Sequence, residues 1–481
     1  MRENLVLENV RKVKTQLEMQ YVFMDKLKSL ISEKSLDTGK TYTYSVVTFG
    51  CQMNSRDSEK LCGILEETGF KETDENNADI VLFNTCTIRE NADQRLLGHL
   101  GMMKSRKSKN RDLTVIICGC MMQDKKSVDF INKKFGFIDI IFGTHNIYRL
   151  PELLYKRLTN EGKKVEEIIE DSSDIVENLP VSRKYFFKSG INITFGCDNF
   201  CTYCIVPYVR GREKSRRPED IIDEIKRVVS DGVIEVMLLG QNVNSYGKGL
   251  ENPVTFTELL SMVEKIEGLK RIRFMTSNPH DLSDELIEMM GKSKKICTHF
   301  HLPLQSGSNR ILKDMNRKYT KEIYIQKAIK LRETVPNISI TTDIMVGFPG
   351  ETEEDFLDTM DVVDKVGFDS AFTFIYSKRN GTRAAVMGNQ VDESVVKDRF
   401  KRLLVKVREV AAKRAELIVG MTLDGLVEGI DSHDCDYLSA RLSNNMMVHF
   451  KGDESLIGKI VDLKIVTSKG FYYLGELVKD E

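Results

Sequence analysis

The sequence predicts an α/β protein in three parts: an N-terminal parallel α/β domain, a partial (β/α)6 barrel and a small C-terminal β-barrel. Apolar strand-like runs alternate with segments of helical period along two stretches, from about Thr43 and again from Gly190, as in parallel sheets. Cysteines and Gly/Pro/Asn-rich loops fall just after those runs, at the strand ends where parallel sheets and barrels bind ligands. From Thr422 to Lys479 only short β-like runs with polar turns remain, the pattern of a small barrel. A chain of 481 residues with 41% hydrophobic content buries more than one core, and at about 150 residues per domain it forms roughly three domains.

Composition narrows the class further. The net charge of −1 excludes a globally cationic protein, so any nucleic-acid surface is local. No run approaches the ~18 to 20 apolar residues of a membrane span, and the opening MRENLVLENVRKVKTQ is too charged for a secretory signal. A cytoplasmic protein without a membrane partner is expected. Ten cysteines in such a compartment point to metal or catalytic use rather than disulfides.

Residues 1–40 have mixed charge, a partly helical pattern (Val10, Val13, Leu17, Tyr21, Leu27) and no chemical motif, and are expected to form a peripheral extension. In the domain over 41–158, strands are expected at Tyr44 to Thr48, Asp79 to Asn84, Leu113 to Cys118 and Phe137 to Phe142, with helices such as Ser55 to Gly69 and Asn91 to Ser105 between them. Cys51, Cys86 and Cys120 each follow one of the first three strands, so the sheet edge should bring these thiols together. Cys118 lies inside an apolar run and Cys62 inside a helix, where cysteine behaves as a small hydrophobe. Residues 159–184 are acidic and weakly apolar, as in a linker.

The barrel region, 185–415, has six strand candidates: Gly190 to Phe195, Val233 to Leu239, Arg271 to Thr276, Thr298 to Leu302, Ile338 to Val346 and Ser370 to Tyr376. Its first strand ends in INITFGCDNFCTYC, three cysteines spaced C-x3-C-x2-C on one short loop. Three soft thiolates satisfy three irons of a [4Fe–4S] cube and leave the fourth open to a cofactor. A structural zinc site would need a fourth ligand, and no His or Cys lies within 20 residues on either side. The segment from Asp392 to Gly420 reads as a helix whose polar face holds eight Lys/Arg between Lys397 and Arg414, a solvated face or an RNA contact. Residues 416–481 would form the small β-barrel, a shape often used on nucleic acids, and are expected to bind RNA.

The motifs TFGCQMN, NTCTIREN, GCMMQ, FGCDNFCTYCIVPYVRGREKSR, GQNVNSYG, HLPLQSGSNRIL and GFPGETEEDF together resemble the radical SAM (S-adenosylmethionine) methylthiotransferases, in particular the branch that modifies tRNA. The resemblance implies a cluster domain, a radical SAM barrel and a TRAM domain. It implies an auxiliary [4Fe–4S] cluster on Cys51, Cys86 and Cys120, and a SAM-binding [4Fe–4S] cluster on Cys197, Cys201 and Cys204. For SAM contacts it points to Gly240, Gln241, Asn242, Thr276, Ser277, Gln305, Ser306, Asp343, Gly347, Phe348 and Pro349, and for RNA contacts to Arg210, Arg212, Lys401 and Arg402. The implied activity is transfer of a methylthio group to carbon 2 of N6-isopentenyladenosine at position 37 of the tRNA anticodon loop, with two SAM consumed. Because a radical breaks that C–H bond, no catalytic side chain beyond the ligands is assigned. An electron donor, either a small protein or a chemical reductant, and an unidentified sulfur source are implied, and a monomer is expected. Met122 departs from the pattern, which more often has a small residue there. Two alternatives stay open: another substrate, either threonylcarbamoyladenosine in tRNA or a ribosomal protein, and an iron–sulfur RNA-binding regulator without turnover.

Overall fold

Strands Ile80–Thr85 and Thr114–Gly119 are buried at every position, the mark of parallel strands covered on both faces. They form the centre of a six-stranded, wholly parallel sheet that also contains Thr43–Thr48, Lys71–Glu72, Ile140–Phe142 and Val165–Glu167. The computed structural model describes residues 2–87, 90–159, 163–170 and 175–478. It divides into two units, the first comprising residues 1–184, 195–197 and 205–213, and the second the remainder.

In the first unit the strands alternate between two cores. Ile80, Leu82, Ile116 and Cys118 face Leu61, Leu65 and Leu153, whereas Val81, Phe83, Val115 and Ile117 face Leu96, Leu100 and Ile131. Two expectations are corrected here. The N-terminal residues are not merely peripheral, because Arg2–Thr38 is one helix whose later turns bury Met24, Leu27 and Ile31 in the first of those cores. Gln20 Nε2 also donates to Glu152 there, at 3.1 Å. The segment read as a linker supplies the edge strand Val165–Glu167, where Ile140 pairs with Val165. Positions 88–89 of NTCTIREN lie outside the described residues.

The second unit has six barrel strands, Lys188–Asn192, Glu235–Leu239, Arg271–Phe274, His299–His301, Ser339–Val346 and Ser370–Ile375, which overlap the expected ones, although the first starts two residues early and stops at Asn192 rather than Phe195. They pair in parallel as two sets of three, bridged where Cys297 N donates to Ile272 O at 2.9 Å. Helices cover the outside; Pro218 opens one, and Thr352 with Asp355 forms a capping box on another. The five strands from Thr422–Ile430 to Tyr472–Leu477 close into a barrel. This barrel grips the N-terminal ends of the larger one. Arg271 Nη1 donates to Arg441 O (2.9 Å), Arg273 Nη2 to Leu442 O (2.7 Å) and Thr298 N to Ser443 Oγ (3.0 Å), while Lys188 pairs with Glu428 (2.6 Å). The loops at the opposite, C-terminal ends carry the motifs. No helix among the described residues is long and apolar enough to cross a membrane.

Candidate metal centres

The first centre lies in the first unit. Cys51 caps the helix Gln52–Glu67, Cys86 follows Ile80–Thr85, and Cys120 opens the turn after Thr114–Gly119. Gly50 shows how closely two of them approach: at φ +108°, a Cβ there would fall 2.6 Å from Cys86 Sγ, so only glycine lets the Cys51 and Cys86 loops meet. Asn54 ties the site together. Its Nδ2 donates to Phe49 O (2.9 Å) and Thr85 O (2.7 Å), and its Oδ1 lies 4.0 Å from Cys51 Sγ and 3.7 Å from Cys120 Sγ. Burial pushes the Cys120 thiol up to about 11, aided by the charges of Cys86, Cys51 and Asp57 and opposed by Arg210. Three thiols brought to one sheet edge around Asn54, beside the buried Asp57, are the soft donors that an iron–sulfur cluster takes. Cys118 faces the other core, and its buried thiol is pushed well up; burial likewise holds Cys62 at about 12. Met122 is fully buried in the second core.

In the other motif, Cys197 is buried and its N–H donates to Gly211 O at 3.2 Å within the first unit. Gly196 precedes it at φ +71°, where a Cβ would fall 2.1 Å from Arg212 O. Cys201 and Cys204 belong to the second unit and share a turn, Cys204 N donating to Cys201 O at 2.9 Å. That turn is pinned from the segment 314–316: Thr202 N donates to Met315 O (3.1 Å), Thr202 Oγ1 to Asp314 O (2.9 Å) and Asn316 Nδ2 to Asn199 O (3.0 Å). Beneath it lie Ile311, Met315, Phe348 and Ala384, with Tyr203 packed against them.

Around the C-terminal ends of the first three strands, buried polar atoms have no partner among the described residues: both amide atoms of Asn192, and Thr194 Oγ1, Asn242 Oδ1 and Ser277 Oγ. Each such atom costs about 1–3 kcal/mol unless a ligand satisfies it, so this end of the barrel fits a polar cofactor such as SAM. Asn192 and Thr194 were absent from the expected contact set, although their signal was visible as the polar interruptions of INITF.

The expected SAM residues divide. Gly240 leaves the space that Thr194 Oγ1 fills, 2.1 Å from where a Cβ would stand, with Gln241 half-buried beside it. Asn242 Nδ2 donates to Asp281 (2.7 Å). Thr276 and Gln305 hold positive φ of 67° and 66°, strained for their residue types. The Asp343 carboxylate stands 3.5 Å from His301 Nε2. Four others are packed into the fold. Ser306 Oγ accepts from Ser308 N (3.2 Å), Gly347 packs under Val396, and Phe348 and Pro349 are buried in the loop that follows Ser339–Val346.

The expected RNA residues also divide. Arg212 and Lys401 are exposed. Arg210 is buried, donating from Nε to Cys120 Sγ (3.0 Å) and from Nη2 to Asn54 Oδ1 (2.6 Å) and Asp57 Oδ2 (3.0 Å), so it offers nothing to a phosphate. Arg402 pairs with Glu353 and Asp398 and lies over the Phe356 ring at 4.5 Å.

This arrangement has known counterparts. Residues 191–363 match the Radical SAM superfamily, 43–143 match Uncharacterized protein family UPF0004, and 416–478 match the TRAM domain. A radical SAM methyltransferase from Kitasatospora setae, solved with cobalamin and a [4Fe-4S] cluster, shares the fold, with a TM-score of 0.51 at 14% identity over 72% of this chain and 74% of that one. By fold and cysteine loop the chain is a radical SAM protein. Curated relatives narrow this. The tRNA-2-methylthio-N(6)-dimethylallyladenosine synthase of Lachnoclostridium phytofermentans is 56% identical over 453 residues, covering 94% of this chain and 99% of the relative. Its namesake from a Thermoanaerobacter species is 52% identical over 95% of this chain and 96% of its own length. That of Clostridium beijerinckii is 50% identical over 94% and 99%. The chain belongs to the family of tRNA-2-methylthio-N(6)-dimethylallyladenosine synthases.

Proposed function

We propose that this chain is a radical SAM methylthiotransferase that adds a methylthio group to carbon 2 of N6-isopentenyladenosine at position 37 of tRNA. The observation that carries the reading is identity of about half or more across nearly the whole chain, spanning both cysteine sets. Its cofactors are SAM and [4Fe–4S] clusters, one held by Cys51, Cys86 and Cys120 and one by Cys197, Cys201 and Cys204. Bound there, a reduced cluster with SAM supplies a radical able to take hydrogen from an unactivated C–H bond. Acid–base groups do not break such a bond at useful rates, so the chain's residues bind, orient and exclude water. Asn192, Thr194, Asn242 and Ser277 offer their unpartnered atoms to the ligand, and Asp343 and Gln305 extend that polar rim.

The target adenine must leave its stack to reach a barrel mouth, which suits the single-stranded anticodon loop. The division of labour follows the domains over 41–158, 185–415 and 416–481. The enzyme works in the cytoplasm as a monomer, takes electrons from a small protein or chemical donor, and draws sulfur from a source outside this chain. Mass spectrometry of tRNA nucleosides from cells with and without the gene tests the reading. The methylthio nucleoside should vanish without the gene while its isopentenyl precursor accumulates; an unchanged nucleoside profile overturns it.

A further inference from the structure

Arg210 stands six residues after Cys204 in sequence, within the span that matches the Radical SAM superfamily, yet it packs into the auxiliary site of the first unit. Its guanidinium is held on three sides. Nε donates to Cys120 Sγ at 3.0 Å, and Nη2 reaches Asn54 Oδ1 at 2.6 Å and Asp57 Oδ2 at 3.0 Å. The Arg210 and Asp57 side chains are only 6% and 5% exposed. Asn54 is fixed in turn by Phe49 O and Thr85 O, and Arg210 N is anchored to Val206 O at 2.8 Å. A cation desolvated this fully and aimed at one sulfur does more than neutralise Asp57, because one nitrogen of its fork is given to the thiol.

We infer that Arg210 is a positioning residue of the auxiliary cluster: its N–H···S bond to Cys120 fixes that ligand and raises the cluster's reduction potential. The inference rests on the two-cluster reading above. A donor to a ligand sulfur withdraws electron density from it, and a buried positive charge favours the more reduced, more negative cluster; both act in the same direction. The geometry differs from a simple buried ion pair, in which the guanidinium would spend both edges on carboxylate oxygens.

The test reads the auxiliary cluster alone, in full-length protein carrying Cys197→Ala, Cys201→Ala and Cys204→Ala, which should hold about four irons after anaerobic reconstitution. A background with no iron would overturn the two-cluster reading itself. In that background, Arg210→Gln and Arg210→Lys are compared by redox titration followed by electron paramagnetic resonance. Both variants should keep four irons, about as many as the background. Arg210→Gln should titrate at lower potential than the background, and Arg210→Lys, which keeps the charge but not the fork, should fall between. A potential unchanged in both variants overturns the inference. So does loss of the cluster from both, because the arginine would then be needed for the site to form rather than to tune it.

Discussion

Arg317 Nη1 donates to Cys201 Sγ across 3.4 Å, while Nε of the same side chain donates to Tyr319 Oη (3.0 Å) and Nη2 to Pro303 O (3.2 Å). The side chain is half-buried, and the guanidinium stays charged because Tyr319, Tyr203 and Cys201 outweigh the cost of desolvation. Arg317 thus stands to Cys201 as Arg210 stands to Cys120. Partners that orient metal ligands typically contribute 10- to 100-fold to affinity or activity. Arg317→Ala should therefore lower 5′-deoxyadenosine formation by about 10- to 100-fold, while the auxiliary site keeps its iron. Iron content and the nucleoside assay on one preparation check this; undiminished SAM cleavage would remove Arg317 from the site.

Glu428 joins the small barrel to the first strand of the large one, accepting from Lys188 Nζ (2.6 Å) and from Arg441 Nε (2.8 Å) and Nη2 (3.0 Å). Burial alone would push its carboxyl up, but the hydrogen bond and charge of Arg441, with those of Lys188, hold it at about 2. The folded value lies below the unfolded one of about 4.3, so the ion cluster stabilises fully above that pH and is lost as pH falls toward the folded value. Glu428→Gln should cost on the order of 1–3 kcal/mol at neutral pH and roughly half as much near pH 3. Denaturant unfolding at the two pH values reads the difference, and an equal cost at both would contradict the linkage.

Legibility followed local pattern. The six barrel strands and the convergence of Cys51, Cys86 and Cys120 could be read because strand period and strand-end position are local properties of the sequence. The core packing of the N-terminal helix was harder to see than its helical pattern, since the buried Gln20, Met24, Leu27 and Ile31 are interspersed with exposed apolar residues such as Met19, Tyr21 and Val22, which blur the buried stripe. Edge strands of two or three residues, such as Lys71–Glu72 and Val165–Glu167, carry too little period to register. Most opaque were the charges. Arg210 looks in sequence like one of a run of cations from Arg210 to Arg217, and only the fold shows it buried against a thiol 90 residues away.

The same blindness governs the basic helix Glu393–Ala415. Arg399 is buried against Glu351 (2.9 Å), Lys406 meets Asp364 (2.9 Å), Arg414 meets Asp369 (3.2 Å), and Arg402 is taken by Glu353 and Asp398. These cations fasten the helix to the large barrel. Lys401, Arg408 and Lys413 are exposed and enter no ion pair among the described residues. Residues 416–478 hold five Lys/Arg against ten Asp/Glu, so a phosphate grip by the small barrel would be local and not a matter of its bulk charge. Reversing Lys401 and Arg408 to Glu should therefore weaken tRNA binding and lower the log–log salt slope by about two, roughly one per lost phosphate contact. SAM cleavage without tRNA should persist, because neither residue belongs to a cysteine motif or to the polar set at the C-terminal ends of the barrel strands. Arg402→Glu should behave differently: it sets a third carboxylate beside Glu353 and Asp398, so the main loss is stability, about 1–3 kcal/mol. Salt-dependent tRNA titrations alongside thermal melts separate the two cases. If Arg402→Glu lowered the salt slope without lowering the melting temperature, Arg402 would return to the RNA surface; if the Lys401/Arg408 variant bound tRNA with unchanged affinity and slope, the exposed face of the helix would be a solvated one.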